Sequence, residues 1–255
     1  MVNRHKNNTL YYIMYSYTNQ IRDDGFGAQY QTIIITYLHC MMNNMQYKYN
    51  PFIKVEHNYE NDPFYTKKLE ELINLKNNIE TNIDSIILMF EDIRYNFEEN
   101  IDNYCNTDAM KFIKECFWQN KEKDPFKNNK INIAVHIRRE NSHDRGHAGE
   151  RASTPNTYYL NIMNEIRETY KHKDGELLFH IYSQGNIENF KDLERKDVQF
   201  HLNEDITKTF VELVGANILI ISPSSFSYVA ALLSDGVVYY KNFWHNPRKE
   251  WIVRI

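Results

Sequence analysis

The chain is short of several things that would narrow its function at once. It has three cysteines in 255 residues, Cys40, Cys105 and Cys116, too few and too irregularly spaced for a disulfide framework or a zinc site. They read as free thiols in a reducing compartment. Eight glycines and six prolines form no Gly-x-Gly-x-x-Gly and no Walker-type phosphate loop. Charge of one sign is missing too. Against 34 acids stand 30 Lys and Arg, for a net charge of −4, and the two signs are interspersed, which argues against nucleic acid as a partner. The apolar-aromatic run near the start, "TLYYIMYSY", is shorter than a membrane span and has no small-residue cleavage site. The expectation is a chain that starts at or near Met1, has no membrane span and works in the cytoplasm.

What is present is an ordinary globular composition, 42% hydrophobic and 25% charged, enough to bury a core in one large domain or two small ones. Asn, Ile, Lys and Tyr are abundant in the manner of an A/T-rich genome, so single asparagines carry little functional weight. Leu10–Tyr17 reads as a strand, "TNQIRDDGFGAQ" as a glycine-containing turn, and Ala28 to Met45 as a helix by its apolar spacing. Tyr65–Ile79 and Ala109–Trp118 supply further helices, while "SIILMFEDIRYNF" fits strand or helix. The polar stretch "NKEKDPFKNNKIN" marks a boundary between an N-terminal α/β domain over 1–125 and a C-terminal domain over 126–255.

Beyond that boundary the pattern becomes regular. Strands at Ile131–Ile137, Leu177–Ser183, Val198–Leu202, Asn217–Ser222 and Val237–Tyr240 alternate with helices at Pro155–Tyr170, Ile187–Glu194, Ile206–Gly215 and Ser225–Ser234. Thr154 before Pro155 reads as a hydroxyl cap with proline at the first helical position. Such alternation predicts an α/β fold with a mostly parallel, doubly wound sheet, whose ligands bind beyond the carboxyl ends of the strands.

Three polar features fall at such ends: His136-Ile137-Arg138-Arg139, Ser183-Gln184-Gly185-Asn186, and Ser222-Pro223-Ser224-Ser225-Phe226. The last opens a helix, whose free amides and dipole suit an anion such as phosphate; alternatively Ser224 and Ser225 are caps only. Arg138 offers a planar fork for bidentate phosphate binding. Arg139 points to the other side of an alternating strand, so one of the two arginines is structural. His136 shares a face with Arg138 and is either a ligand contact or a satisfied core histidine. Gly25 and Gly27 in "DDGFGAQYQ" either line a cleft between domains or make a turn. The aromatics Tyr239, Tyr240, Phe243, Trp244 and Trp251 form either a platform for a sugar or an anchor for the terminal segment.

"VHIRR" at 135–139, "ISPSSFSYVAALLSDGVVYY" at 221–240 and "GFGAQYQ" at 25–31 together resemble the α1,2-, α1,6- and protein-O-fucosyltransferase superfamily. The resemblance lies in three islands covering about a sixth of the chain. It implies a GT-B-like arrangement of two Rossmann-like domains and metal-independent, inverting transfer from a nucleotide-sugar, GDP-fucose in that family, to a glycan or other hydroxyl acceptor. Carried over, Arg138 holds the diphosphate, with His136 near the nucleotide and Arg139 and Ser183 on the donor side. Ser224, Ser225 and Phe226 wrap the phosphates, and Gly25, Gly27 and Gln29 close the cleft. Asp144 and Glu150, with His143 behind them, are the candidate bases. The pattern departs at Asn141, where the family often has Asp, and at Thr209, where many members place an acid that reads guanine; Glu212 and Asp205 are the nearby substitutes.

Two rival readings remain open. One is a binding relic that holds a nucleotide-sugar or glycan without turnover. The other is a metal-dependent phosphoester hydrolase using His143, Asp144 and His147, whose ligand types suit a cation but whose neighbours Arg138, Arg139, Arg145 and Arg151 oppose one. No Asp-x-Asp stands at a strand end to hold manganese, and no metal is expected.

Overall fold

The computed structural model describes residues 15–80, 85–140, 154–173 and 176–255. Two parallel sheets carry the fold. The smaller has three strands in the order β2-β1-β3, formed by β1 (Ser16–Asn19), β2 (Gln46–Tyr47) and β3 (Ile86–Leu88). Helices α1 (Phe26–Met42), α2 (Tyr65–Ile73), α3 (Phe90–Glu99), α4 (Ile101–Cys105) and α5 (Asp108–Trp118) belong to this half of the chain. The ambiguous "SIILMF" segment resolves into strand followed by helix. Helix α2 ends before Ile79 because Asn74 adopts a left-handed conformation, φ 55°, one that Asn tolerates better than most residues and that a helix cannot continue through.

The larger sheet comprises β4 (Ile131–Ile137), β5 (Leu177–Ser183), β6 (Val198–Leu202), β7 (Ile218–Ile220), β8 (Val237–Lys241) and β9 (Ile252–Arg254). All neighbours are parallel, in the order β6-β5-β4-β7-β8-β9. Counted from β4 this is 3-2-1-4-5-6, the doubly wound order, with its switch point between β4 and β7. Helices α6 (Asn156–Thr169), α7 (Ile206–Gly215) and α8 (Ser225–Leu233) and a 3-10 segment (Ile187–Leu193) make the connections. Pro155, in extended conformation at φ −70° and ψ 155°, caps α6 without a side-chain bond. Thr154, expected as the cap, is instead buried, and its carbonyl accepts from Arg139.

The register sorts the larger sheet into two faces. Ile133, Val135, Ile137, Phe179, Ile181, Ile218 and Ile220 pack with Tyr159, Ile162, Met163 and Ile166 of α6 and with Phe190 and Leu193. The opposite face, with Ala134, Tyr182, Leu219, Val238 and Tyr240, joins a cluster that runs through α7 and α8 into α1 and the helices of the first half. Helix α1 therefore lies between the two halves, and it is buried almost all round, polar Gln29, Gln31, Thr32 and Thr36 included. Its buried threonines return their hydroxyls to carbonyls one turn back: Thr32 to Ala28 at 2.9 Å and Thr36 to Thr32 at 2.7 Å.

The segment after β8 folds back across the helices of the first half. His245 Nδ1 lies 2.7 Å from Glu98 Oε1, and Arg248 donates to Asn106. Phe243 and Trp251 meet the Tyr228 ring of α8 edge-on, and Tyr240 packs tilted against both, which makes them an anchor for this segment. All three cysteines are buried free thiols, with burial pushing their pKa values up. Among the described residues no helix is long and apolar enough to cross a membrane.

Candidate functional site

The switch point brings the end of β4 beside the β7–α8 connection. His136, the last even-numbered residue of β4, faces α8, and its Nδ1 lies 2.8 Å from Ser222 Oγ. The Phe226 ring covers it, with centroids 5.4 Å apart. Burial, reinforced by the positive charge of Arg138, pushes the His136 pKa down to about 3, so the ring is neutral at physiological pH. It is a hydrogen-bonding group here and carries no charge to an anion.

Ser224 caps α8: its backbone is extended, φ −152° and ψ 131°, and its Oγ accepts from the Phe226 amide at 3.3 Å. Ser227 Oγ donates back to Ser222 O at 3.2 Å, which tightens the turn. The first turn of α1 rests on this helix start. A Cβ at Gly27 would lie 2.4 Å from both N and Cα of Phe226, so only glycine allows the two backbones to approach this closely. The Phe226 ring packs against Phe26 and Phe210 as well as His136, so the side chain locks α1, α7 and the switch point together.

The two arginines that follow β4 have different surroundings. Arg139 lies on the α6 side, where Nη1 donates to Thr154 O at 3.0 Å and Nη2 to Asn156 Oδ1, and its guanidinium lies over Phe190 at 5.4 Å. These contacts hold the start of α6 and the 3-10 segment against the sheet. Arg138 lies near enough to His136 to depress its pKa, and Nη1 donates to the Arg139 carbonyl at 2.5 Å. The Arg139 guanidinium is thus set against α6, while the positive charge of Arg138 acts on His136.

The remaining residues singled out in the sequence have structural partners. Gln29 Nε2 donates to Asp24 O at 2.7 Å and Lys54 O at 2.8 Å, and Gly25 bridges Glu56. Together they fasten the glycine turn to the 54–56 segment. Ser183 Oγ donates to Ile137 O at 2.7 Å, joining the ends of β5 and β4. Asp205 caps α7 by accepting from the Thr207 and Lys208 amides, and Glu212 accepts from Tyr182 Oη at 2.9 Å. Asn141, His143, Asp144, Arg145, His147, Glu150 and Arg151 lie outside the described residues.

Sequence reading passed over Ser222 as a partner for His136, and His180 and His201 altogether. A signal existed for the last two: a histidine stands on the same face of each of the neighbouring runs "LLFHIYS" and "VQFHL", opposite the face that carries Phe179, Ile181 and Phe200. Two surface clefts lie away from the switch point. One, of about 360 Å³, is bounded by Lys130, Arg167, Lys171 and Lys196 near the amino end of β5, and one of about 260 Å³ by Asn74, Asn77 and Gln119. The amino ends of parallel strands are the opposite side from the loops that bind ligands in such sheets.

Two solved glycosyltransferases are loosely similar to the chain. The NodZ alpha-1,6-fucosyltransferase co-crystallised with GDP is 12% identical, with 86% of this chain and 92% of that one covered and a TM-score of 0.42. The E. coli heptosyltransferase WaaC with ADP-2-deoxy-2-fluoro heptose is 11% identical, with 94% and 93% covered and a TM-score of 0.45. No family model matches the chain, and no curated protein sequence does. A likeness this loose carries no argument about activity, which has to be read from the residues and their geometry.

Proposed function

We propose that the chain is a glycosyltransferase of GT-B-like organisation, using a nucleotide-sugar donor held at the β4–β7 switch point. The observation that carries this reading is that the "HIRR" and "SPSS" islands, more than 80 positions apart in sequence, leave adjacent parallel strands, with His136 bonded to Ser222. The third island, "GFGAQ", sits on them through the Gly27–Phe226 contact. Three segments that carry the family resemblance are thus one spatial unit.

In this reading Arg138 and the amides that open α8 bind the donor's diphosphate, and neutral His136 orients the Ser222 turn beneath it. The acceptor hydroxyl oxygen attacks the anomeric carbon from the face opposite the diphosphate, giving inversion. The bond from that carbon to the phosphate oxygen breaks, and the diphosphate leaves with the electron pair, its charge met by Arg138. The hydroxyl proton passes to a carboxylate, for which Asp144 and Glu150 are the candidates. GDP-fucose is the specific donor the resemblance implies, with no metal needed in the transfer.

The test is nucleotide-dependent melting followed by turnover. Stabilisation by GDP with EDTA present, weaker for UDP and ADP, and release of GDP from GDP-fucose support the proposal. Stabilisation without release identifies a binding relic, and stabilisation by no nucleotide sinks the reading.

A further inference from the structure

The cleft of about 360 Å³ at the amino end of the larger sheet takes no part in the proposed transfer. Among the described residues that line it are Lys130 before β4, Arg167 in the last turn of α6, Tyr170 at its end, Lys171 in the 3-10 turn that follows, and Lys196 and Asp197 before β6. In a chain whose net charge is −4, four cations thus meet there with one carboxylate.

That carboxylate is taken. Arg167 donates from Nε and Nη2 to the two oxygens of Asp197 at 2.7 and 3.0 Å, and from Nη1 to Asn164 Oδ1 at 2.9 Å. Its guanidinium lies 4.5 Å from the centre of the Phe179 ring. The pair is fixed in place, and its charges cancel. Lys171 and Lys196 differ. Both are exposed, and neither has an ion-pair partner among the described residues. Lysines elsewhere on the surface do pair: Lys67 with Glu71, Lys68 with Asp62, Lys111 with Asp108, Lys127 with Glu122 and Lys208 with Glu204. The dipole at the carboxyl end of α6 accounts for Arg167 and Lys171. It does not account for Lys130 and Lys196, which two other segments bring to the same cleft. Like charges gathered on a concave surface repel one another and focus a positive field outward, and an anion relieves both.

We propose that this cleft binds a dianionic phosphate group, with Lys171 and Lys196 as its counter-charges. An ammonium on a flexible stem meets phosphate as a mobile point charge, and two such groups without acidic partners supply the charge a dianion needs. Half-buried Tyr170 adds a hydroxyl and an apolar ring face, which suits phosphate as the free ion or as a small ester. Strand β4, seven residues and roughly 20 Å long, separates the cleft from the switch point. This anion is therefore not the donor's diphosphate, and the site stands or falls independently of the transferase reading.

The test is isothermal titration calorimetry of full-length, tag-free protein with sodium phosphate at low ionic strength, repeated with glycerol 3-phosphate. The expected result is saturable binding that weakens as sodium chloride is added and persists in Arg138→Ala. It should fall by about ten- to a hundredfold in Lys171→Gln/Lys196→Gln, the loss expected when charge-assisted hydrogen bonds are removed. Lys171→Arg/Lys196→Arg should retain it. Lys123→Gln/Lys249→Gln, which removes the same charge elsewhere, should bind as wild type. Tighter binding of the glycerol ester assigns the phosphate to an organic molecule, and no tighter binding assigns it to the free ion; either supports the site. Absence of saturable phosphate binding overturns the proposal. Equal weakening in Lys123→Gln/Lys249→Gln does so too, since it marks diffuse attraction only. Binding lost in Arg138→Ala but kept in Lys171→Gln/Lys196→Gln places the phosphate at the switch point and likewise overturns it.

Discussion

The two faces of the larger sheet are built on opposite principles. Towards α6 every inward position of β4, β5 and β7 is aliphatic or aromatic apart from the closing Ser183. Its stability is that of area removed from water. The other face buries Asn132, His136 and His180 beside Ala134 and Tyr182. Each of these polar groups is buried only because a partner is fixed opposite it: Ser222 for His136, and His201 and Asn132 for His180. A buried polar group without a partner costs about 1–3 kcal/mol. The second face is therefore less tolerant of change in shape and richer in chemistry. The sheet has separated an apolar packing side from a side of partnered polar groups, on which the proposed site lies.

The comparison can be broken most severely on the packing side. Phe179→Ala should cost about 3–5 kcal/mol of stability, since it opens a cavity between the sheet and α6; denaturant unfolding reads this directly. On the polar side Arg138→Ala should leave the unfolding midpoint nearly unchanged and lower transfer by about 10²–10³, roughly 3–4 kcal/mol of barrier, as loss of a preorganised charge does. Near-native turnover in that variant would defeat the clamp. Arg139→Ala should do the reverse, weakening the α6 attachment with a smaller effect on turnover. If the two variants behave alike, the assignment of the arginines to opposite faces fails.

Acid should also tell the faces apart. Folding lowers the pKa of His136 to about 3 and of His180 to about 4 from an ordinary 6.5. Above pH 6.5 neither folded nor unfolded chain holds these protons; below it the unfolded chain takes them up first, so stability falls as pH drops through 6.5 towards the folded values. His136→Gln/His180→Gln should flatten that slope in a pH series of melting curves, even if the variant is less stable overall. The smallest effect is expected at Ser224→Ala, about 1 kcal/mol for a lost helix cap. A simultaneous loss of GDP affinity would show that the serine also meets the phosphate, and stability loss alone would make it a cap only.

Local pattern carried the strands well. The limits of β4, β5 and β6 coincide with the expected runs bounded by polar turns, because alternate positions on the α6 side are held apolar by burial. Helix ends were less legible. Pro155 caps α6 where Thr154 was expected, and Ile187–Leu193 winds as a 3-10 segment, because the Asn156 and Arg139 contacts that settle this end lie across the fold. The candidate site was legible as three motifs but not as a place. Arg139 illustrates why: alternation separates it from Arg138, yet which of the two turns towards His136 depends on which face α6 covers.

By itself the sequence determined that the chain forms parallel strands joined by helices, with polar residues concentrated at their carboxyl ends. Those are local consequences of hydrophobic period and turn chemistry. Tertiary structure alone decided that β7 lies beside β4, so that Ser222 meets His136, and that the starts of β4 and β6 bring Lys130 and Lys196 to one cleft with Arg167. Strand order is a choice among non-local pairings that leave each segment's own pattern equally satisfied, and only the packing of the whole chain separates them.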